Sequence, residues 1–258
     1  MSAPWMPPAL AWHAVSGPAR TYGRAGRRMA AAHLIARLPG GAAVYRGLWR
    51  DDPYRPDNAR LGLVLVHIPK TAGISVLNAL GFGAEANHYC VAEYRMRNPA
   101  LYRSCLTAAF VRNPYDRFLS AYRFLSHGGR SRRDAAFRRD LLAACPTLES
   151  FTARLRHSRA FRSAVLSYPH FIPQHAYIAP AGGIEVAFLG RYEQLEADTG
   201  RLRARLGLDP APLPRLNASA PTTGRTFDDA CGRQFVQEVY ARDFELLGYP
   251  AAPPETVG

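Results

Sequence analysis

The stretch from Leu61 to Leu80 constrains this chain more than any other: Leu-Gly-Leu-Val-Leu-Val-His-Ile-Pro-Lys-Thr-Ala-Gly-Ile-Ser-Val-Leu-Asn-Ala-Leu. Leu61 to Ile68 is a nearly unbroken apolar run rich in valine and leucine, the composition of a strand buried on both faces of a parallel sheet. Pro69 to Gly73 predicts a tight connection, and Ile74 to Leu80 a helix with Gly81 as its stop. Strand, short Lys/Thr/Gly loop and helix together aim backbone N–H groups and a helix dipole at an anion, usually a phosphate. The loop is not a Walker A motif, because its glycine follows the lysine instead of preceding it.

Lys70 stands out from the composition. It is the only lysine among 33 Lys plus Arg residues, so the other 32 are arginine. Arginine is a broad planar fork, whereas lysine is a compact point charge that fits inside a ring of backbone amides. Retention of one lysine at this place favours function over chance.

The chain has 258 residues, with 48% hydrophobic and 21% charged side chains, which fits one soluble globular domain with a substantial core. Its net charge of +13 makes a polyanionic partner plausible without choosing among nucleic acid, anionic membrane and acidic glycan. Cys90, Cys105, Cys145 and Cys231 show no zinc spacing and are expected to be buried apolar side chains. No apolar run approaches the ~18 residues of a membrane span, and the N-terminus carries no signal-peptide core, so a cytoplasmic protein is expected.

Three segments are expected: 1–60, a basic arm and linker; 61–250, the working domain; and 251–258, a tail. No acidic residue precedes Asp51, while Arg20, Arg24, Arg27, Arg28, Arg37, Arg46 and Arg50 are basic. Met29, Leu34, Ile35 and Leu38 predict one amphipathic helix ended by Pro39-Gly-Gly, part of an arm able to touch an anionic surface. Asp51 to Asn58, with two prolines, reads as the linker into the first strand. Leu106 to Val111 predicts a second strand. Asn113 and Pro114 are then a helix N-cap and first residue, with Asn113, Arg117 and Ser120 on one face and Phe118, Tyr122 and Leu125 on another. Leu148 to Leu166, Tyr192 to Leu206 and Asp228 to Leu247 read as helices, Val186 to Gly190 as a short strand, and 210–225 as a long loop. Strands alternating with helices give an α/β parallel sheet.

Pro69-Lys-Thr-Ala-Gly-Ile-Ser75, preceded by His67 and Ile68, closely resembles the 5′-phosphosulfate loop of sulfotransferases. Arg112-Asn-Pro-Tyr-Asp-Arg-Phe-Leu-Ser120 resembles their 3′-phosphate segment. Both follow an apolar strand, in the family's order. Pro173-Gln174, Leu189 to Leu195, Leu213 to Ser219 and Tyr240 to Tyr249 are further similar pieces, so the resemblance spans about residues 60 to 250. The chain is identified as a soluble, bacterial-type member of sulfotransferase family 2, the carbohydrate sulfotransferases related to heparan sulfate 2-O-sulfotransferase.

The resemblance implies a P-loop-like three-layer sandwich, with a central parallel sheet flanked by helices. It implies a donor, 3′-phosphoadenosine 5′-phosphosulfate (PAPS), that leaves as adenosine 3′,5′-bisphosphate, with no metal. Lys70, Thr71, Ala72, Gly73, Ile74 and Ser75 would bind the 5′-phosphate, and Arg112 and Ser120 the 3′-phosphate. Lys70 would also act in catalysis. His88 matches the family's catalytic histidine, with Glu93 as the alternative base. Asn217 and Ser219 match a loop that closes over the nucleotide. His67 is expected to orient the loop, and His170 and His175 to be structural or to line the acceptor cleft. The partner implied is a carbohydrate or glycoconjugate acceptor, anionic or not, rather than nucleic acid. Two other readings stand beside it: a nucleotide-dependent kinase of related fold, which the non-Walker loop disfavours, and a non-catalytic polyanion-binding protein.

Overall fold

Three short segments form the sheet: two are apolar runs buried on both faces, and the third alternates buried with half-buried residues. The computed structural model describes residues 22–83, 87–213 and 230–251. Among them the strands are β1 (Leu63–Val66), β2 (Leu106–Val111) and β3 (Phe188–Arg191), all parallel in the order β1-β2-β3. The register pairs Leu63 with Leu106 and Phe110 with Gly190. Successive strand residues point to opposite faces, and in β1 all four side chains are buried. The expected α/β parallel sheet is therefore present.

The described chain falls into two compact units, the first holding residues 29–112 and 174–213, the second 22–28, 113–173 and 230–251. In the order of the chain the helices are α1 (Arg24–Ile35), α2 (Gly41–Leu48), α3 (Pro56–Leu61), α4 (Gly73–Ala79), α5 (Val91–Arg97), α6 (Pro99–Ser104), α7 (Pro114–Ser126) and α8 (Arg132–Phe137). After a π-helical turn at Arg138–Leu142 come α9 (Leu148–His157), α10 (Arg159–Leu166), α11 (His175–Ile178), α12 (Leu195–Arg205), α13 (Ala230–Val239) and α14 (Ala241–Leu247).

In the first unit one face of the sheet buries Leu63, Leu65, Ala108, Phe110 and Phe188 against Val76, Leu77 and Leu80 of α4 and its end and Leu202 of α12. This packing fixes the direction in which the chain leaves β1. The segment expected as a linker, Asp51 to Asn58, runs into the start of α3, with Pro56 at its first position, where a missing N–H does no harm. The N-terminal apolar stripe is corrected in part: Met29 and Ile35 are buried, whereas Leu34 and Leu38 stand exposed. His33 is also buried, and burial pushes its imidazole down to about 4, so the ring is neutral at ordinary pH.

The second unit has an aromatic core. Phe118, Tyr122 and Leu125 of α7 are buried as the helix pattern requires, with Phe118 5.4 Å from Phe171 and Tyr122 5.1 Å from Phe151 between ring centroids. Asn113 caps α7 through its side chain, which accepts from the Tyr115 N–H at 3.0 Å. The span 148–166 is two helices, because Ser158 takes an extended conformation and caps α10. The closing helix is likewise split, at Tyr240, whose hydroxyl donates to the Phe171 carbonyl at 2.7 Å. Cys90 and Cys145 are buried as expected, but Cys231 is exposed on α13.

Candidate active site

β1 ends at Val66, and the chain turns at once into the candidate anion loop of the first unit. Lys70 and Ala72 both adopt left-handed backbone conformations, with φ of 71° and 62°. Neither is glycine, so each position costs about 1–2 kcal/mol of local strain. Thr71 lies between them, and its Oγ1 donates to the Ile68 carbonyl at 2.9 Å, which tightens the turn and commits the hydroxyl proton to the loop itself. Turns of this kind gather successive backbone N–H groups around a concave centre, and such a centre suits an anion.

Gly73 opens α4 and touches the ring of His67. A Cβ there would lie 1.9 Å from His67 Cδ2 and 2.4 Å from Nε2. His67 thus buttresses the loop from the strand end, buried to 7% exposure. Its ring centroid is 4.9 Å from that of His88, and His88 Nδ1 lies 3.4 Å from the His67 carbonyl oxygen. The structure therefore brings His88 to the strand end that carries Lys70. Ser75 and Thr71 are buried, while Lys70, Ala72, Ile74 and His88 are half-buried.

Arg112 follows β2 and is 5% exposed. Its guanidinium stacks on the Tyr192 ring at 3.9 Å, and its Nη1 donates to the Lys70 carbonyl at 3.5 Å. Its backbone is clamped by Gln174. The Gln174 Oε1 accepts from the Arg112 N–H at 2.9 Å, and its Nε2 donates to the Arg112 carbonyl at 2.7 Å. The fully buried Gln174 amide thus imitates a neighbouring strand where β2 runs out. Removing it strands two backbone groups in the interior. Gln174→Leu is expected to destabilise the fold by about 2–4 kcal/mol in urea unfolding; an unchanged midpoint would contradict the clamp.

Glu93, the alternative base, is engaged in the fold. It is fully buried on α5, its Oε1 accepting from the Tyr45 hydroxyl at 3.1 Å and its Oε2 from the Cys90 N–H at 2.8 Å. Together with Cys90 it forms a capping box. His175 is buried in the first unit, and in the second unit His170 stacks against Phe124 and Tyr168. Ser120 is half-buried on α7 in the second unit, and Arg117 on the same helix is 1% exposed. Asn217 and Ser219 lie outside the described residues. Gln174 and Tyr192 were not singled out by sequence reasoning as supports of Arg112; their only signal was membership in segments that look like the family's.

Fold and site define an α/β protein in which the loop between β1 and α4 carries Lys70 and lies against the Arg112 guanidinium. Residues 57–250 match the model of the sulfotransferase family, Sulfotransfer_2, and the chain belongs to that family. No curated protein and no solved structure matches it significantly. Among the described residues, no group of three or more His, Cys, Asp or Glu side chains is placed to hold a metal ion, and no helix is long and apolar enough to cross a membrane.

Proposed function

We propose that the chain is a cytoplasmic, PAPS-dependent O-sulfotransferase acting on a carbohydrate or glycoconjugate. The observation that carries this reading is the strained loop at Lys70 and Ala72, with the Arg112 guanidinium hydrogen-bonded to its backbone. The residues fit the donor's chemistry. The loop offers backbone N–H groups for a 5′-phosphate and Arg112 a fork for a second phosphate. By resemblance to the family's second signature, Ser120 would bind the 3′-phosphate.

When bound, PAPS supplies an activated sulfuryl group whose departure leaves negative charge on the bridging oxygen. The N–H groups of 70–75 orient the phosphate end, and the Lys70 ammonium offsets the growing charge. His88 takes the acceptor proton, a general-base role that histidine fills more often than any other side chain. The burial and double engagement of Glu93 favour His88 over Glu93. Such a site works mainly by alignment and electrostatics.

The division of roles is testable at His88. His88→Ala is expected to lower kcat by about 10²–10⁴-fold while leaving the affinity for adenosine 3′,5′-bisphosphate within a factor of about three. Turnover at the parental rate would remove His88 from the mechanism.

A further inference from the structure

We propose that the two helices and the turn of residues 29–50 form a docking face for an anionic phospholipid surface. This face is separate from the candidate active site and does not depend on the donor assignment. Its inner side is fixed to the first unit. Met29, Ala32 and Tyr45 are fully buried, and the Tyr45 hydroxyl donates to Glu93 at 3.1 Å. Arg97 donates from its guanidinium to the carbonyls of Trp49 at 3.3 Å and Arg50 at 3.1 Å, and Arg46 to the Met96 carbonyl at 3.1 Å. The turn between α1 and α2 is closed tightly, because a Cβ on Gly41 would lie 2.0 Å from the Ile35 carbonyl oxygen.

Its outer side is unlike the remaining described surface. Leu34, Leu38, Val44 and Leu48 are 48%, 57%, 47% and 63% exposed, and among the described residues these are the large apolar side chains that stand exposed. All four fall within fifteen residues, in two pairs spaced four apart. Arg37, Arg46 and Arg50 in the same segment are exposed, Arg37 also donating to the Pro180 carbonyl at 3.2 Å, and the sequence holds no acidic residue before Asp51. Apolar side chains framed by arginine, with no carboxylate among them, suit the boundary between headgroups and acyl chains, with the guanidinium groups at the phosphates. A second copy docking through the same face would set like charges against each other, so charge favours lipid over self-association.

The test is co-sedimentation of the full chain with vesicles at low salt. Binding is expected to vesicles of phosphatidylcholine containing about 30% phosphatidylserine and not to phosphatidylcholine alone. It is expected to be released near 1 M salt, where the screening length shrinks to about 3 Å. The double substitution Leu38→Glu with Leu48→Glu removes two apolar contacts and adds two negative charges at exposed positions. It should lower the vesicle partition coefficient about a hundredfold while leaving the melting temperature unchanged. Failure of the parental chain to pellet with anionic vesicles would overturn the proposal, as would undiminished binding by the double variant. Sedimentation showing a dimer that the same substitutions dissolve would overturn it in favour of a face between copies.

Discussion

Replacing Lys70 by alanine is expected to reduce sulfuryl transfer by about 10²–10³-fold, the loss typical of one preorganised group at a developing negative charge. Alanine keeps a Cβ, so the left-handed strain at φ 71° is retained and the change reports the ammonium group. Lys70→Arg should rescue little. A planar guanidinium is broader than an ammonium, and the Arg112 guanidinium already reaches the Lys70 carbonyl at 3.5 Å. The two variants should fall together in kcat, measured at saturating donor. An arginine variant with parental kcat would show that any positive charge suffices and that the sole lysine of the chain has no special fit.

Gly73→Ala is the second large effect. The new methyl would fall 1.9 Å from His67 Cδ2, so either the imidazole or the loop must move. His67 has little room, since its ring lies beside His88 at 4.9 Å and is buried. Overpacking of this kind costs about 1–3 kcal/mol of stability. The displaced loop should cost on the order of a hundredfold in kcat, because reacting groups tolerate little misplacement. The physical cause can be separated from simple damage. Adding His67→Ala removes the atoms that clash, and the double variant should recover part of the stability lost by Gly73→Ala alone, a coupling expected of residues in contact. Purely additive losses would place the strain elsewhere.

The loop was legible in the sequence because its parts are local: a β-type apolar run, a proline-bounded turn and a helix start within twenty residues. Its geometry was not, since positive φ at Lys70 and Ala72 is not foreshadowed by glycine at either position. Gln174 clamps Arg112 across 62 residues of chain, and no local pattern announces such a contact. Glu93 was the alternative base by resemblance, since some sulfotransferases use a glutamate; its place in a capping box was hidden because the partner, Cys90, is an uncommon N-cap. In the N-terminal segment, helical periodicity marked Met29, Leu34, Ile35 and Leu38 alike. Only tertiary packing divides them into a buried pair and an exposed pair. Pro56 suggested a linker, yet proline opens helices as readily as it ends them, and here it opens α3.

The central claim, a donor site that recognises a 3′-phosphate as well as a 5′-phosphate, is tested most directly by thermal shift without metal. Adenosine 3′,5′-bisphosphate is compared with ADP at equal concentration. A ligand that binds only the native state raises the melting temperature by mass action, so no acceptor need be known. The expected result is stabilisation by the bisphosphate and little response to ADP, with the difference lost in Arg112→Ala. Equal stabilisation by ADP, or no response to either nucleotide, would contradict the donor assignment.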